Sequence, residues 1–111
     1  MTVKDIIEKL DLKCLNEANL YTEVSGAYAS DLLSDVMGNA EMGNIWVTLQ
    51  VHKNVMAIAS LKELACVILV KGQTAADETL EQSNEEGIPF LSTPMETYET
   101  AGKIYELGIR N

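Results

Sequence analysis

The chain has 111 residues, 47% of them apolar, enough for one domain whose core needs no disulfide or metal to hold it. Seventeen acidic against eight basic side chains leave a net charge of −9. That balance repels a phosphate backbone and an anionic bilayer, so it excludes nucleic acid and membrane as general partners. A small anion held by backbone amides stays compatible with it, because those act at short range.

Taken in chain order, the pattern gives a succession of short elements. Thr2 and Asp5 form a capping-box start, and Val3, Ile6, Ile7 and Leu10 recur at helical spacing. "LKCLN" reads as a short strand, and "EVSGAYAS" as another around Gly26. Ser30 then reads as an N-cap, with Leu32, Leu33, Val36 and Met37 on one helix face and Gly38 as the stop. "IWVTLQV" is a strand, followed by a buried helix in "HKNVMAIASLKEL" that Asn54 is expected to cap. "ACVILV" is apolar at consecutive positions, as in a strand covered on both faces.

Thr74 and Asp77 are expected to open an acidic helix that ends near Gly87. "IPFLS" is the last strand, and Thr93, Pro94 and Glu96 fit the N-cap, N1 and N3 positions of a final helix. Its expected inward face is Met95, Tyr98, Ala101, Tyr105 and Leu107. From residue 45 onward strand and helix alternate, which predicts an α/β fold: a three-layer α/β/α sandwich on a mostly parallel sheet. The sheet becomes mixed if "LKCLN" and "EVSGAYAS" pair antiparallel. No repeat or linker divides the chain, so residues 1–111 read as a single domain.

Gly38 and Gly43 have the opening spacing of a phosphate-binding P-loop. The motif also requires a strand before it, a helix after it, and a lysine and hydroxyl behind its second glycine. Here Asn44 and Ile45 follow Gly43, a helix precedes the pair and a strand follows it, so a helix stop and a turn explain both glycines. The single histidine, His52, has no nucleophile motif near it, and a non-enzyme is expected. With Cys14 and Cys66 far apart and Cys66 inside an apolar run, a structural zinc site fails on ligand count, and neither metal nor other cofactor is expected. No apolar run reaches bilayer-spanning length and the start lacks the regions of a signal peptide, so a cytoplasmic protein is expected.

In open parallel sheets, ligands bind outside the carboxyl ends of the strands, where helix starts present free amides. The polar residues expected at those ends are Gln50, His52, Lys53 and Asn54, then Lys71, Gly72 and Gln73, then Ser92 and Thr93. Ser30 and Asp31 open an earlier helix nearby. The candidate ligand-binding set is Ser30, Asp31, Gln50, His52, Asn54, Lys71, Gly72 and Thr93. The single Trp46, four Tyr and five Met exceed what one small core needs, and the surplus is available for an interface.

The stretches "SDLLSDVMGNAEMGNIWVTLQVHKNVMAIASLKELACVILVKG" and "EEGIPFLST" resemble a stand-alone DRTGG-domain protein. The motif that names the family falls at "YTEVSGA": Val24, Ser25 and Gly26 fit it, whereas Tyr21, Thr22 and Ala27 replace its usual Asp, Arg and second Gly. Such domains are similar to the N-terminal domain of HPr kinase/phosphorylase and, more distantly, to that of Mur ligases, where the ATP chemistry sits in another domain. They also occur between CBS domains in pyrophosphatases. The resemblance implies a regulatory or assembly module; together with the polar strand ends it leads to the expectation of a non-catalytic regulatory domain, a homodimer, that binds a nucleotide or other small anion. Its alternative is an assembly module that docks on a protein partner with no small ligand.

Overall fold

The computed structural model describes residues 1–111. Five helices and five strands follow one another as α1 (Val3–Leu10), β1 (Lys13–Cys14), β2 (Gly26–Ala29), α2 (Leu33–Asn39), β3 (Asn44–Thr48), α3 (Asn54–Leu61), β4 (Cys66–Leu69), α4 (Asp77–Glu86), β5 (Phe90–Ser92) and α5 (Thr97–Glu106). The strands form one sheet in the order β1-β5-β4-β3-β2. β2 through β5 are parallel, and β1 runs antiparallel to β5. The sheet is therefore mixed, although "LKCLN" and "EVSGAYAS" lie at its opposite edges and do not pair.

Three successive βαβ units step in one direction along the sheet, and the right-handed rule puts their helices on one face. Trp46, Val67, Leu69 and Phe90 point to that face, against Val36 of α2, Val55 and Ala59 of α3, and Leu80 of α4. Ile45, Val47, Cys66, Ile68 and Leu91 point the other way, onto Val3 and Ile6 of α1 and Ile104 of α5. Burial on both faces is why β3 and β4 are apolar at consecutive positions. Trp46 lies wholly in this core, its Nε1 donating to the Ser30 carbonyl at 2.9 Å, so it is not surplus for an interface. Truncating so large a buried side chain to alanine costs about 3–5 kcal/mol.

The Thr2–Asp5 capping box is present on both sides, and Gly87 closes α4 in the left-handed region at φ 74°. Gly43 makes the expected turn at φ 82°. Several other helix limits depart from expectation. Ser30 is still tied to the sheet through Val47, its hydroxyl accepting from the Leu32 amide in a turn, and α2 starts only after Leu32. Gly38 sits inside that helix, which runs on to Asn39. Leu32 is exposed, and Val36 is the buried residue of α2.

Asn54 is the first residue of α3 rather than its cap, because the chain already turns at His52 and Lys53. Thr74 precedes α4 by a loop, and Ala76 occupies the cap position. Thr93 does not cap α5, which begins at Thr97. The Thr93 and Met95 carbonyls accept from the amides of Gly72 and Lys71, so residues 93–95 are held by the neighbouring loop and the helix begins beyond them.

Candidate functional site at the strand carboxyl ends

The polar residues at the carboxyl ends of β2, β3, β4 and β5 fall into three separate groups. The first surrounds the end of β3. The Asp31 carboxylate accepts from the Thr48 hydroxyl at 2.9 Å and the Leu49 amide at 2.7 Å, while Gln50 Nε2 donates to the Asp31 carbonyl at 3.0 Å. Ser30 adjoins this knot and faces Asp35. Hydrogen bonds from Ser30 and then from the Tyr28 phenol, which donates at 2.8 Å, hold the Asp35 carboxyl below its ordinary range, and Asn39 adds to the effect. The same Asp35 contact, with burial second, pushes the Tyr28 phenol above its ordinary value. Ser30, Asp31 and Gln50 are thus brought together, with most of their hydrogen-bonding capacity directed inward.

The second group joins the β4–α4 loop to the β5–α5 loop. Lys71 and Gly72 are both left-handed, at φ 57° and 69°, which aims their amides at the Met95 and Thr93 carbonyls at 2.8 and 2.9 Å. Thr93 is buried, its hydroxyl accepting from the Met95 amide. The Ser92 hydroxyl donates to the Gln73 carbonyl at 3.0 Å. These backbone groups fasten two loops together and leave the exposed Lys71 side chain free to meet a ligand.

The third group is a groove of about 310 Å³ between the starts of α3 and α4. His52 and Lys53 stand on one side, and Glu78, Thr79 and Gln82 of α4 on the other. The exposed His52 ring accepts the Asn54 amide at its Nδ1, 3.1 Å away, and its carbonyl accepts from Val55, so this histidine does the capping expected of Asn54. With Nδ1 so engaged, Nε2 is the nitrogen that faces outward. α4 begins without a side-chain cap, so its first amides remain open. Of the candidate set only His52 lines this groove. Lys53, expected at this strand end though outside the candidate set, lines it too, whereas nothing in the sequence points to Gln82 and Thr79, because the spacing of the acidic helix α4 does not show that its start faces His52.

The winding explains why the edge holds a shallow groove rather than a crevice. Strand-end crevices in α/β sheets form where the strand order reverses and neighbouring loops diverge. Here β2, β3, β4 and β5 run consecutively with no reversal, so the loops lie side by side. No helix of the chain is long and apolar enough to cross a membrane.

The residues of the family motif have a structural role of their own, at the other end of β2. The Ser25 hydroxyl donates to the Met42 carbonyl at 2.7 Å and accepts from Asn44 Nδ2 at 3.2 Å, locking the start of β2 to the Gly43 turn. Gly26 leaves room for the Asn111 side chain, since a Cβ there would meet Asn111 Oδ1 at 2.1 Å.

Comparison with known proteins agrees with this fold. A family model described as the DRTGG domain matches residues 5–107. Among curated proteins no match is found. Among solved structures, the chain is similar to the CBS and DRTGG domains of the regulatory region of Clostridium perfringens pyrophosphatase, a structure complexed with its activator diadenosine tetraphosphate. That likeness has a TM-score of 0.72 at 14% identity, over 93% of this chain and 45% of the other, so this chain spans less than half of its neighbour. At such identity the likeness speaks for the fold, and the match over residues 5–107 for the family: the chain belongs to the DRTGG domain family.

Proposed function

We propose that this chain is a regulatory domain that senses a nucleotide or another small anion at the carboxyl ends of its strands, in the groove between α3 and α4, without catalysing a reaction. The observation that carries the reading is the composition of that groove. Lys53 and the outward Nε2 of His52 supply charge and a hydrogen bond from one wall, and Gln82 and Thr79 supply polar groups from the other. Asp77 and Glu78 already place negative charge at the start of α4, so the ligand's anionic group belongs on the Lys53 side. Of the other candidates, Lys71, Gly72 and Thr93 fasten the β4–α4 loop to the β5–α5 loop outside this groove, and Ser30, Asp31 and Gln50 hold the loops after β2 and β3, while Asn54 opens α3 behind His52. The nucleotide activator of the pyrophosphatase region with the same fold supports a nucleotide as the ligand class. Absence of catalysis is supported by His52, whose Nδ1 already accepts the Asn54 amide and so is not free to take a proton as a general base.

The test is a set of thermal melts with ATP, diadenosine tetraphosphate, UTP and inorganic phosphate. A ligand at about a hundred times its Kd adds roughly 2.7 kcal/mol of stability, which moves the melt by several degrees in a domain of this size. Lys53→Glu removes that shift and leaves the unliganded melt in place. If no compound moves the melt of the parent protein, the reading fails.

The homodimer that goes with this reading, and in the alternative reading the docking of a protein partner by an assembly module without a small ligand, are favoured by α5. Tyr98 is 93% exposed and Tyr105 59%, and they share one stripe with Ala101 and Gly102 between them. Exposed aromatic side chains flanking small residues on one helix face are the composition of a contact patch. Light scattering tests the homodimer, with a dimer expected that Tyr98→Glu converts to monomer.

A further inference from the structure

A second groove, of about 360 Å³, lies far in character from the first, between the edge strand β2 and helix α5. Three small residues leave its space open, Ala27 and Ala29 on the strand and Ala101 on the helix, while Ile104 and Tyr105 supply apolar wall. The volume lies at the lower end of the roughly 300–1,000 Å³ typical of small-molecule pockets, as does the apolar lining with few polar groups. One of those polar groups is unusual for this chain. Arg110 is its only arginine, among seventeen acidic residues. The single ion pair in the structure joins the N-terminal ammonium to Glu23, so the guanidinium has no carboxylate partner. It stacks instead on the Tyr105 ring, 4.1 Å from the centroid, with one nitrogen 3.4 Å from the Tyr105 carbonyl. Stacking holds the planar fork of donors in one orientation at the groove's end, ready for a two-point contact with an acid.

We propose that this groove binds a small amphipathic carboxylate, its ring or short chain lying between β2 and α5 and its acid group on Arg110. One cation among apolar walls selects a single negative charge on an apolar body. It does not suit a polyphosphate, whose further charges meet no second cation here and are opposed by the chain's net charge of −9. The ligand class therefore differs from that of the α3–α4 groove, and the two sites stand or fall separately.

The experiment is a titration of the ¹⁵N-labelled chain with 4-phenylbutyrate, with 4-phenylbutanol as the neutral analogue, followed by amide chemical shifts. Saturable shifts are expected at Ala29, Ala101, Tyr105 and Arg110. Arg110→Gln is expected to weaken binding about tenfold or more, the effect of losing a charge-assisted hydrogen bond. Lys103→Gln, which removes a charge from the same helix outside the groove, leaves it unchanged. Ala101→Phe fills the space and abolishes binding while the remaining spectrum stays dispersed; should that variant not fold, the Arg110 and Lys103 pair still decides. The proposal is overturned if no saturable shift occurs in the parent protein, if the shifts lie elsewhere, or if the alcohol binds as well as the acid.

Discussion

The side chain of Asn111 pairs with Ala27 as a neighbouring strand would. Its Oδ1 accepts the Ala27 amide at 3.0 Å and its Nδ2 donates to the Ala27 carbonyl at 3.1 Å. β2 is an edge strand, and edges with open backbone groups invite pairing with other chains. One asparagine amide closes this edge at its middle, and the missing side chain of Gly26 makes room for it.

Gly26→Ala is therefore expected to expel Asn111, since the new Cβ would stand 2.1 Å from Oδ1. Two exposed hydrogen bonds are lost, about 1 kcal/mol together, and the less flexible unfolded chain returns about 0.4–1 kcal/mol. Stability then changes little, whereas hydrogen exchange at the Ala27 amide accelerates about tenfold. Asn111→Ala gives the same acceleration, and the double variant adds nothing to either.

The opposite edge uses the same device. Beyond β1, Asn16 Nδ2 donates to the Ile88 carbonyl at 2.9 Å and its Oδ1 accepts the Phe90 amide at 2.8 Å. These bonds are part-buried, so Asn16→Ala leaves the Phe90 amide of β5 and the Ile88 carbonyl before it unpaired and is expected to cost about 1–3 kcal/mol. Urea denaturation measures it as a lowered midpoint at unchanged slope.

The Tyr28–Asp35 pair makes stability depend on pH at both ends. Asp35 is held low in the folded protein, so its contribution is present above the ordinary carboxyl range and is lost as pH falls through the depressed folded value. Tyr28 is held high, so its contribution is present below the ordinary phenol range and is lost as pH rises through the raised folded value. Tyr28→Phe removes the alkaline dependence and part of the acid one, because Ser30 and Asn39 still donate to Asp35. The stability gap between parent and variant, followed by thermal melts across pH, is expected to be widest near neutrality and to narrow toward both extremes.

The two thiols should separate cleanly by reactivity. Cys14 is exposed on β1. Cys66 is fully buried on β4, where burial, with the Cys14 thiol adding to it, pushes its pKa up to about 12. Iodoacetamide on the native protein should add one alkyl group, at Cys14, with the second appearing only in denaturant, as mass spectrometry reads directly.

The parallel core was legible because strands covered on both faces carry consecutive apolar residues, as "ACVILV" and "IWV" do, and because Thr2 and Asp5 spell out their cap. Helix starts were less so. Ser30, Asn54 and Thr93 are cap-type residues that lie in turns or in the first helical turn instead, and only the pairing of distant loops, such as Gly72 with Thr93, decides between these uses. The inward face of α5 was misread for a related reason. Tyr98 and Tyr105 point outward while Thr100 is buried, its hydroxyl satisfied by the Glu96 carbonyl at 2.8 Å, which lets a polar residue take an inward place. Asn16 and Asn111 act as backbone through their side chains, which no periodicity reveals. At the strand ends the sequence located His52 and the polar loops, but not the one-directional winding that keeps them apart.

Nucleotide sensing in the α3–α4 groove is decided by calorimetric titration of the protein with ATP and with diadenosine tetraphosphate, beside the Lys53→Glu and His52→Ala variants. Saturable binding of at least one of them is expected, weakened about tenfold or more by Lys53→Glu and less by His52→Ala, whose loss of a cap costs about 1 kcal/mol of stability on its own. Absence of binding by a cooperatively folded parent protein, or binding that neither substitution changes, would contradict it.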